Sequence, residues 1–198
     1  MPKGRLEAFS DGVIAILITI MVLELHTPSG TSWHALGDEL PVLSAYALSF
    51  VYLGIYWNNH HHMLAATSRV TGAAMWANLH LLFWLSLIPF STAWMSENRF
   101  PPTPTAVYGI VLLCAAIAFY ILQTMLVRTE GASSVLRTAI GSDVKGKISP
   151  LLYCLGIGLS FVEPWLGVAV YVVVALIWLV PDRRVERHLS TASAGTAE

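Results

Sequence analysis

Charge is scarce in this sequence of 198 residues: only 12% of them are Asp, Glu, Lys or Arg, against about 25% in typical soluble domains. Hydrophobic residues make up 56% of the chain, and the mean hydropathy is +0.64. A soluble fold needs more charge to cover its surface, so this composition is typical of a chain whose outer surface meets lipid. A net charge of −1, with no basic patch interleaved with aromatic residues, argues against a nucleic-acid partner.

Cysteine is also scarce, since the two cysteines, Cys114 and Cys154, each lie within an apolar run. Isolated cysteines of this kind are typical of small buried hydrophobic residues, and we expect neither a disulfide nor a metal site from them. A cleavable signal peptide is disfavoured as well. Asp11 and Glu24 bracket the first apolar run, and no small-residue cleavage site follows it.

Long apolar runs are abundant, and a membrane-spanning helix needs about 20 mostly apolar residues. The sequence predicts six such helices, near residues 6–26, 40–66, 70–95, 105–127, 147–163 and 165–181. Glu163 and Pro164 divide the last two runs, which together are too long for one span. We therefore expect a hairpin with Pro164 in the first turn of the sixth helix. Pro89 is expected to kink the third span.

The predicted fold class is thus an all-α integral membrane protein with six transmembrane helices. They form one transmembrane domain over residues 1–188, and the small, polar tail at 189–198 should be disordered. Basic residues lie near the N-terminus, in the segment 128–147 and at 183–187, whereas residues 27–39 contain no Lys or Arg. Positive segments face the cytoplasm, so six spans place both termini inside, in a multi-pass protein of the cell membrane.

Polar and ionisable residues cluster at one depth of the first three predicted spans. Ser10 and Asp11 lie one to two turns from the inner end of span one, level with the end of span two and the start of span three. Such groups are costly inside a membrane and usually functional. We therefore expect a hydrogen-bonded network in this inner layer, drawn from Arg5, Ser10, Asp11, Asn58, Asn59, His60, His61, His62, Asn78 and His80.

Asp11 needs a partner in this layer, and the candidates are Arg5, an Asn or a His. A spacing of six residues makes a pair between Arg5 and Asp11 on one helix unfavourable, so Arg5 is expected to reach another helix or another subunit. The three histidines at 60–62 are equally compatible with a role in capping a helix end at the membrane interface. Successive residues point about 100° apart on a helix, so these histidines are not expected to bind one metal ion.

A stripe of branched apolar residues follows Asp11 on the first helix. Ile16, Ile20 and Leu23 have the spacing i, i+4, i+7 and share one face, which Thr19 borders. Spacing alone favours core packing for this stripe over any other role.

The opening of this helix, Arg5-x-x-x-Phe9-Ser10-Asp11, resembles the Arg-x-x-x-Phe-Ser-Asp signature of the transmembrane protein 175 family. These are potassium channels of animal lysosomes, with shorter bacterial and archaeal members. The Ile- and Leu-rich helix that follows and the patch at 57–60 are also similar. The resemblance implies a homotetramer in which the first helix of each six-helix subunit lines the pore. It also implies that the signature residues, together with Trp57, hold this helix to its neighbours.

The same resemblance implies that apolar rings replace a carbonyl filter, and the chain lacks the Thr-Val-Gly-Tyr-Gly loop of ordinary potassium channels. The narrowest ring falls on Ile16 and further rings on Ile20 and Leu23, with the Thr19 hydroxyl between them. The expected function is a potassium channel modestly selective over sodium. Its expected partners are copies of itself, the lipid bilayer and permeant K⁺, with no cofactor.

Other functions are compatible with parts of the sequence. A secondary or proton-coupled transporter would use the inner Asp and His layer as a relay, although no inverted repeat or pair of broken helices is visible. A membrane enzyme ranks last, because we find no nucleophile–base set, metal motif or phosphate loop. Glu24 and His26, near the outer mouth, either concentrate cations or mark the membrane interface.

Overall fold

The computed structural model describes residues 3–130 and 144–179, and all regular secondary structure in these ranges is α-helical. The helices are α1 (Lys3–Leu23), α2 (Trp33–Asp38), α3 (Leu40–Ala65), α4 (Gly72–Ser86), α5 (Ile88–Glu97), α6 (Pro102–Glu130), α7 (Val144–Ser160) and α8 (Pro164–Leu179). Four stretches are long and apolar enough to cross a membrane, namely α1, α3, α4 with α5, and α6. The helices α7 and α8 are shorter, at 17 and 16 residues. The predicted all-α architecture is confirmed, while the tail at 189–198 lies outside the described residues.

The third span is interrupted where the sequence predicts a kink. Helix α4 ends at Ser86 and α5 begins at Ile88, with Pro89 in its first turn. Pro89 has no N–H to donate, so the helical hydrogen-bond ladder is interrupted at this point. The ladder resumes at once, because the Ser91 N–H and the Ser91 hydroxyl both donate to the Leu87 carbonyl at 3.0 Å.

The last two helices form the predicted hairpin. Helix α7 ends at Ser160 and α8 begins at Pro164, a first-turn position where the missing proline N–H costs little. Between them, the Glu163 N–H donates to the Leu159 carbonyl at 2.9 Å.

The connection between α1 and α3 contains a short helix that the apolar pattern does not predict. Ser32 caps α2, because its hydroxyl accepts a hydrogen bond from the Ala35 N–H at 3.2 Å.

Buried tyrosines hold α3, α6 and α8 together. Tyr52, Tyr108 and Tyr171 are fully buried, and the Tyr52 hydroxyl donates to the Tyr171 carbonyl at 2.6 Å. The Tyr108 hydroxyl lies 3.0 Å from the Ser49 hydroxyl. Gly109 leaves room for the Tyr171 hydroxyl, which a Cβ at that position would strike. Helix α1 lies outside this cluster, packed against α3, α4 and α5, and its other side is exposed.

Candidate functional site on the first helix

One face of α1 is exposed along the length of the helix. Ile16, Ile20 and Leu23, which form the apolar stripe, are 56%, 41% and 81% exposed. Thr19 and Gly12 lie on the same face and are also exposed. Because no other described helix covers this face, the stripe is not core packing within one subunit.

The opposite face of α1 is buried in the hydrophobic core. Leu6, Ile14, Leu17 and Met21 recur at helical spacing on this face, and Ile14 is only 1% exposed. The burial of these side chains fixes the rotation of α1 about its axis. The stripe therefore faces either lipid or another protein chain.

Thr19 contributes a polar atom to the stripe. Its hydroxyl donates to the Ile16 carbonyl at 2.9 Å, so its proton is used within the helix. The hydroxyl oxygen keeps a lone pair on the exposed face, between Ile16 and Ile20, and can accept a hydrogen bond or contact a cation there.

Three fully buried polar side chains tie α1 to α4 and α3. The Ser10 hydroxyl donates to the Leu6 carbonyl at 2.9 Å and accepts a hydrogen bond from Asn78 Nδ2 at 2.9 Å. Asn78 Oδ1 lies 2.7 Å from His60 Nε2, which must be the donor because an amide oxygen only accepts. This chain of bonds crosses α1, α4 and α3 in turn. At its end, His60 Nδ1 is buried and has no partner among the described residues.

Asp11 has a partner that the sequence does not predict. Its carboxylate accepts a hydrogen bond from the Trp57 indole Nε1 at 3.0 Å, and not from Arg5, an Asn or a His. Arg5 lies six residues earlier and so points in another direction. Its side chain is exposed, and no hydrogen bond or ion pair joins that side chain to another residue of 3–130 or 144–179.

A second pair between α1 and α3 lies beside this one and was not among the predicted contacts. His61 Nδ1 lies 3.1 Å from Glu7 Oε1, and the His61 ring stacks on Trp57 with centroids 6.2 Å apart. The residue spacing on the two helices could have predicted this second pair. Glu7 and Asp11 are four residues apart on α1, and Trp57 and His61 are four apart on α3, so two facing pairs meet in register.

Asn58 and His80 lie outside the network, which corrects their predicted place in it. Asn58 is exposed. His80 accepts a hydrogen bond from Trp84 of its own helix at 2.9 Å, because two residues turn it about 200° from the buried Asn78. Phe9 is 51% exposed, on the stripe side of α1. Within the described ranges, no three His, Cys, Asp or Glu side chains are grouped to hold a metal ion.

The short connection between α3 and α4 is tied to α1 and α6. Lys3 Nζ of α1 donates to the Ala65 carbonyl at the end of α3, at 3.0 Å. The Glu130 carboxylate at the end of α6 accepts hydrogen bonds from the N–H groups of Ser68 and Arg69, at 2.6 and 3.1 Å. The ends of four spans, α1, α3, α4 and α6, therefore meet at one connection.

Comparison with known proteins relates the chain to a family of channels. Residues 5–89 match the family model described as endosomal/lysosomal potassium channel TMEM175. A potassium channel of Chryseobacterium sp. strain P1-3 is 54% identical over 189 residues, which cover 96% of this chain and 98% of that protein. The endosomal/lysosomal proton channel TMEM175 of Bos taurus is 30% identical over 131 residues, which cover 60% of this chain and 27% of that protein.

A solved structure has the same fold. The crystal structure of a lysosomal potassium-selective channel TMEM175 homolog from Chamaesiphon minutus superposes with a TM-score of 0.77 and 31% identity, covering 90% of this chain and 96% of that chain. The resemblance carried by Arg5, Phe9, Ser10 and Asp11 is confirmed. This chain is a multi-pass membrane protein and belongs to the TMEM175 family of channels.

Proposed function

We propose that this chain forms a homotetrameric cation channel, modestly selective for potassium over sodium, with α1 of each copy around the pore. The potassium-channel names of the bacterial relatives support this proposal. The main structural support is that α1 exposes an apolar stripe from Ile16 to Leu23. Hydrogen bonds join α1 to α3 and α4 elsewhere on the helix. A helix that only filled the core would bury this stripe.

Four copies of the stripe would stack apolar rings along the pore axis. With a rise of 1.5 Å per residue, the Ile16 and Ile20 rings would lie about 6 Å apart, and the Leu23 ring about 4.5 Å further out. The resemblance to the family places the narrowest point at the Ile16 ring.

An apolar constriction selects by dehydration. An ion must shed water to pass the Ile16 ring, and potassium sheds water at lower cost than sodium. The ring closes the pore when it dewets. Selectivity stays modest, because the Thr19 oxygens replace only part of the lost hydration shell.

The inner anchor holds α1 in its orientation at the pore. The bond between Asn78 and Ser10 and the bond between Trp57 and Asp11 join α1 to α4 and α3 without touching the stripe. Arg5, exposed on one subunit, would pair with a neighbouring copy.

The protein would lie in the cell membrane with both termini in the cytoplasm. Lys3, Arg5, Arg69 and Arg128 fall on one side of the spans, as the positive-inside rule requires of cytoplasmic ends.

The test is potassium and sodium flux through purified protein in vesicles. Ile16→Ala and Ile16→Asn should raise conductance and lower the potassium-to-sodium ratio. Ile117→Ala is the matched control, since Ile117 is a similarly exposed isoleucine on α6, away from α1. If both Ile16 variants keep the parent conductance and ratio, Ile16 is not the filter.

A secondary or proton-coupled transporter is the second candidate, and one observation favours it. The bond chain from Ser10 to His60 is buried and ends at a His60 Nδ1 that has no partner within residues 3–130 and 144–179. A pH gradient that drives potassium uptake, with turnover that saturates, would support a transporter. Potassium flux that scales with voltage and ignores the pH gradient supports the channel.

A further inference from the structure

Phe9 continues the exposed stripe of α1 toward the inner end of the helix. Its side chain is 51% exposed, and it lies seven residues before Ile16. At about 100° and 1.5 Å per residue, Phe9 points within about 20° of Ile16 and lies about 10 Å closer to the inner end. The exposed face of α1 therefore begins with an aromatic ring, about two turns before the branched apolar side chains.

An open step separates Phe9 from Ile16. Gly12 lies between them on the same exposed face, about 40° around the helix from Ile16. A Cβ added at Gly12 would have no heavy atom of a neighbouring helix within 4 Å. Packing within one subunit therefore does not require a glycine at this position. Its effect is to leave space on the exposed face between two large side chains.

In the proposed channel, four copies of this pattern enclose a chamber at the inner end of the pore. This step rests on the proposed function, because the stripe surrounds a pore only when four α1 helices do. The Phe9 rings line the inner end of the chamber, Gly12 widens its middle, and the Ile16 ring closes its outer end. An organic ion much wider than potassium can enter this chamber but cannot pass the Ile16 constriction.

The walls of this chamber suit a bulky apolar cation. The face of an aromatic ring attracts a cation through its quadrupole, and aromatic side chains are the usual protein partners of quaternary ammonium groups. The alkyl arms of such an ion leave water when they contact Phe9 and Ile16, which is also favourable. Charge and apolar surface are thus recognised by the same two rings of side chains.

The charged residues around the inner end of α1 do not oppose a cation. Lys3 and Arg5 are matched in number by Glu7 and Asp11. Lys3 Nζ is held at the Ala65 carbonyl of α3, at 3.0 Å. In the proposed assembly Arg5 pairs with a neighbouring copy, and potassium itself has to cross this entrance.

We propose that the inner chamber formed by Phe9, Gly12 and Ile16 binds one monovalent organic cation of the quaternary ammonium class, which blocks the pore from the cytoplasmic side. The Phe9 rings contact the charged centre, and the alkyl arms contact Ile16. Because the chamber lies within the membrane span, the bound charge senses part of the membrane potential. Block therefore increases when the cytoplasmic side is made positive.

The experiment records potassium current through the full chain in planar lipid bilayers, with tetrabutylammonium added to one side at a time. Block should occur from one side only and deepen with voltage of the sign that drives the ion inward. Phe9→Leu keeps an apolar side chain but removes the ring, and should weaken block about tenfold, whereas Phe9→Trp should restore it. Phe161→Leu is the matched control and should keep the parent block, since Phe161 is 63% exposed in the turn between α7 and α8.

Two results overturn the site while leaving the proposed channel standing. One is a conducting parent protein that tetrabutylammonium does not block, and the other is equal block of the parent and Phe9→Leu. A parent protein that carries no potassium current contradicts the proposed function instead, so the two failures are distinguishable.

Protection of an introduced cysteine supplies an arm that leaves Phe9 unchanged. Cys114 and Cys154 are replaced by Ser, and a single cysteine is introduced as Gly12→Cys or, for the control, Phe161→Cys. Tetrabutylammonium should slow modification of Gly12→Cys by a small cationic thiol reagent at least about fivefold, and should leave the rate at position 161 unchanged. An unchanged rate at position 12 contradicts the site.

Discussion

The buried and exposed faces of α1 have similar residues in opposite environments. Ile14 and Leu17 are buried, whereas Ile16 and Ile20, of the same size and polarity, are exposed. Residue type therefore does not decide which face meets the core. The hydrogen bond from Asn78 to Ser10 adds to the rotational preference of α1, because Ser10 lies on the same buried face as Ile14 and Leu17.

The difference in burial suits the two faces of α1 to different roles. In the proposed channel, the buried face and the polar anchor hold α1 in place, and the exposed face contacts the permeant ions. Substitutions on the buried face or in the anchor should lower stability or assembly. Substitutions on the exposed face should change conduction. The predictions below test this separation, beginning with the largest effect.

Asn78→Leu should remove most of the folded protein. It leaves the Ser10 hydroxyl and His60 Nε2 buried without their partner, at a cost of about 2–6 kcal/mol for the two groups. Thermal unfolding in detergent and the yield of monodisperse protein measure the effect. His80→Leu is the control, because His80 is exposed on the same helix and should change stability little. Equal stability of the two variants would show that the bond chain does not hold α1.

Ile14→Ala and Ile16→Ala compare the two faces directly. Ile14→Ala should destabilise the protein by about 2–5 kcal/mol through the cavity it leaves. Its conductance per assembled channel should be unchanged. Ile16→Ala should stay within about 0.5 kcal/mol of the parent in one subunit, as exposed substitutions do, yet change conductance. Unfolding and flux are measured on the same preparations. If both variants change stability and conductance to the same extent, the two faces of α1 do not have separate roles.

Asp11→Ala should impair assembly more than conduction through assembled protein. It removes a hydrogen bond to a partly exposed carboxylate, which we expect to contribute about 1–2 kcal/mol. The Trp57→Phe variant removes the same bond from the other side, so the double variant should cost little more than either single one. Oligomer size in detergent is the readout. Additive losses would show that the two residues act independently.

His61→Ala should have the smallest effect, at most about 1 kcal/mol, because its pair with Glu7 is partly exposed. The loss should shrink further at high salt. Melting curves at low and high salt check both points, and a loss as large as that of Asn78→Leu would place this pair among the main anchors.

Much of the fold could be predicted from the sequence, because apolar runs and loop charges report the spans directly. The six spans, the kink at Pro89 and the hairpin at Pro164 all follow from such local signals. The helix α2 could not be predicted this way, since its six residues are too few to show periodicity.

The site was only partly predictable. Counting residues gives the depth of Ser10, His60 and Asn78, and the structure joins these three. Counting does not give the rotation of one helix relative to another. Asp11 therefore bonds to Trp57 instead of the expected partners, and His80 turns out of the layer. The sequence locates the stripe but does not show whether it faces the other helices, because nearly all residues of α1 beyond Asp11 are apolar.

The most direct measurement is cysteine accessibility along α1 in conducting protein. Cys114 and Cys154 are first replaced by Ser, and single cysteines are then introduced at 14, 16, 17, 20 and 23. A small cationic thiol reagent should modify positions 16, 20 and 23 and block potassium flux, with potassium slowing the reaction. Positions 14 and 17 should stay unmodified. Block from positions 14 and 17, with no effect at 16, 20 and 23, would contradict the assignment of the exposed face to the pore.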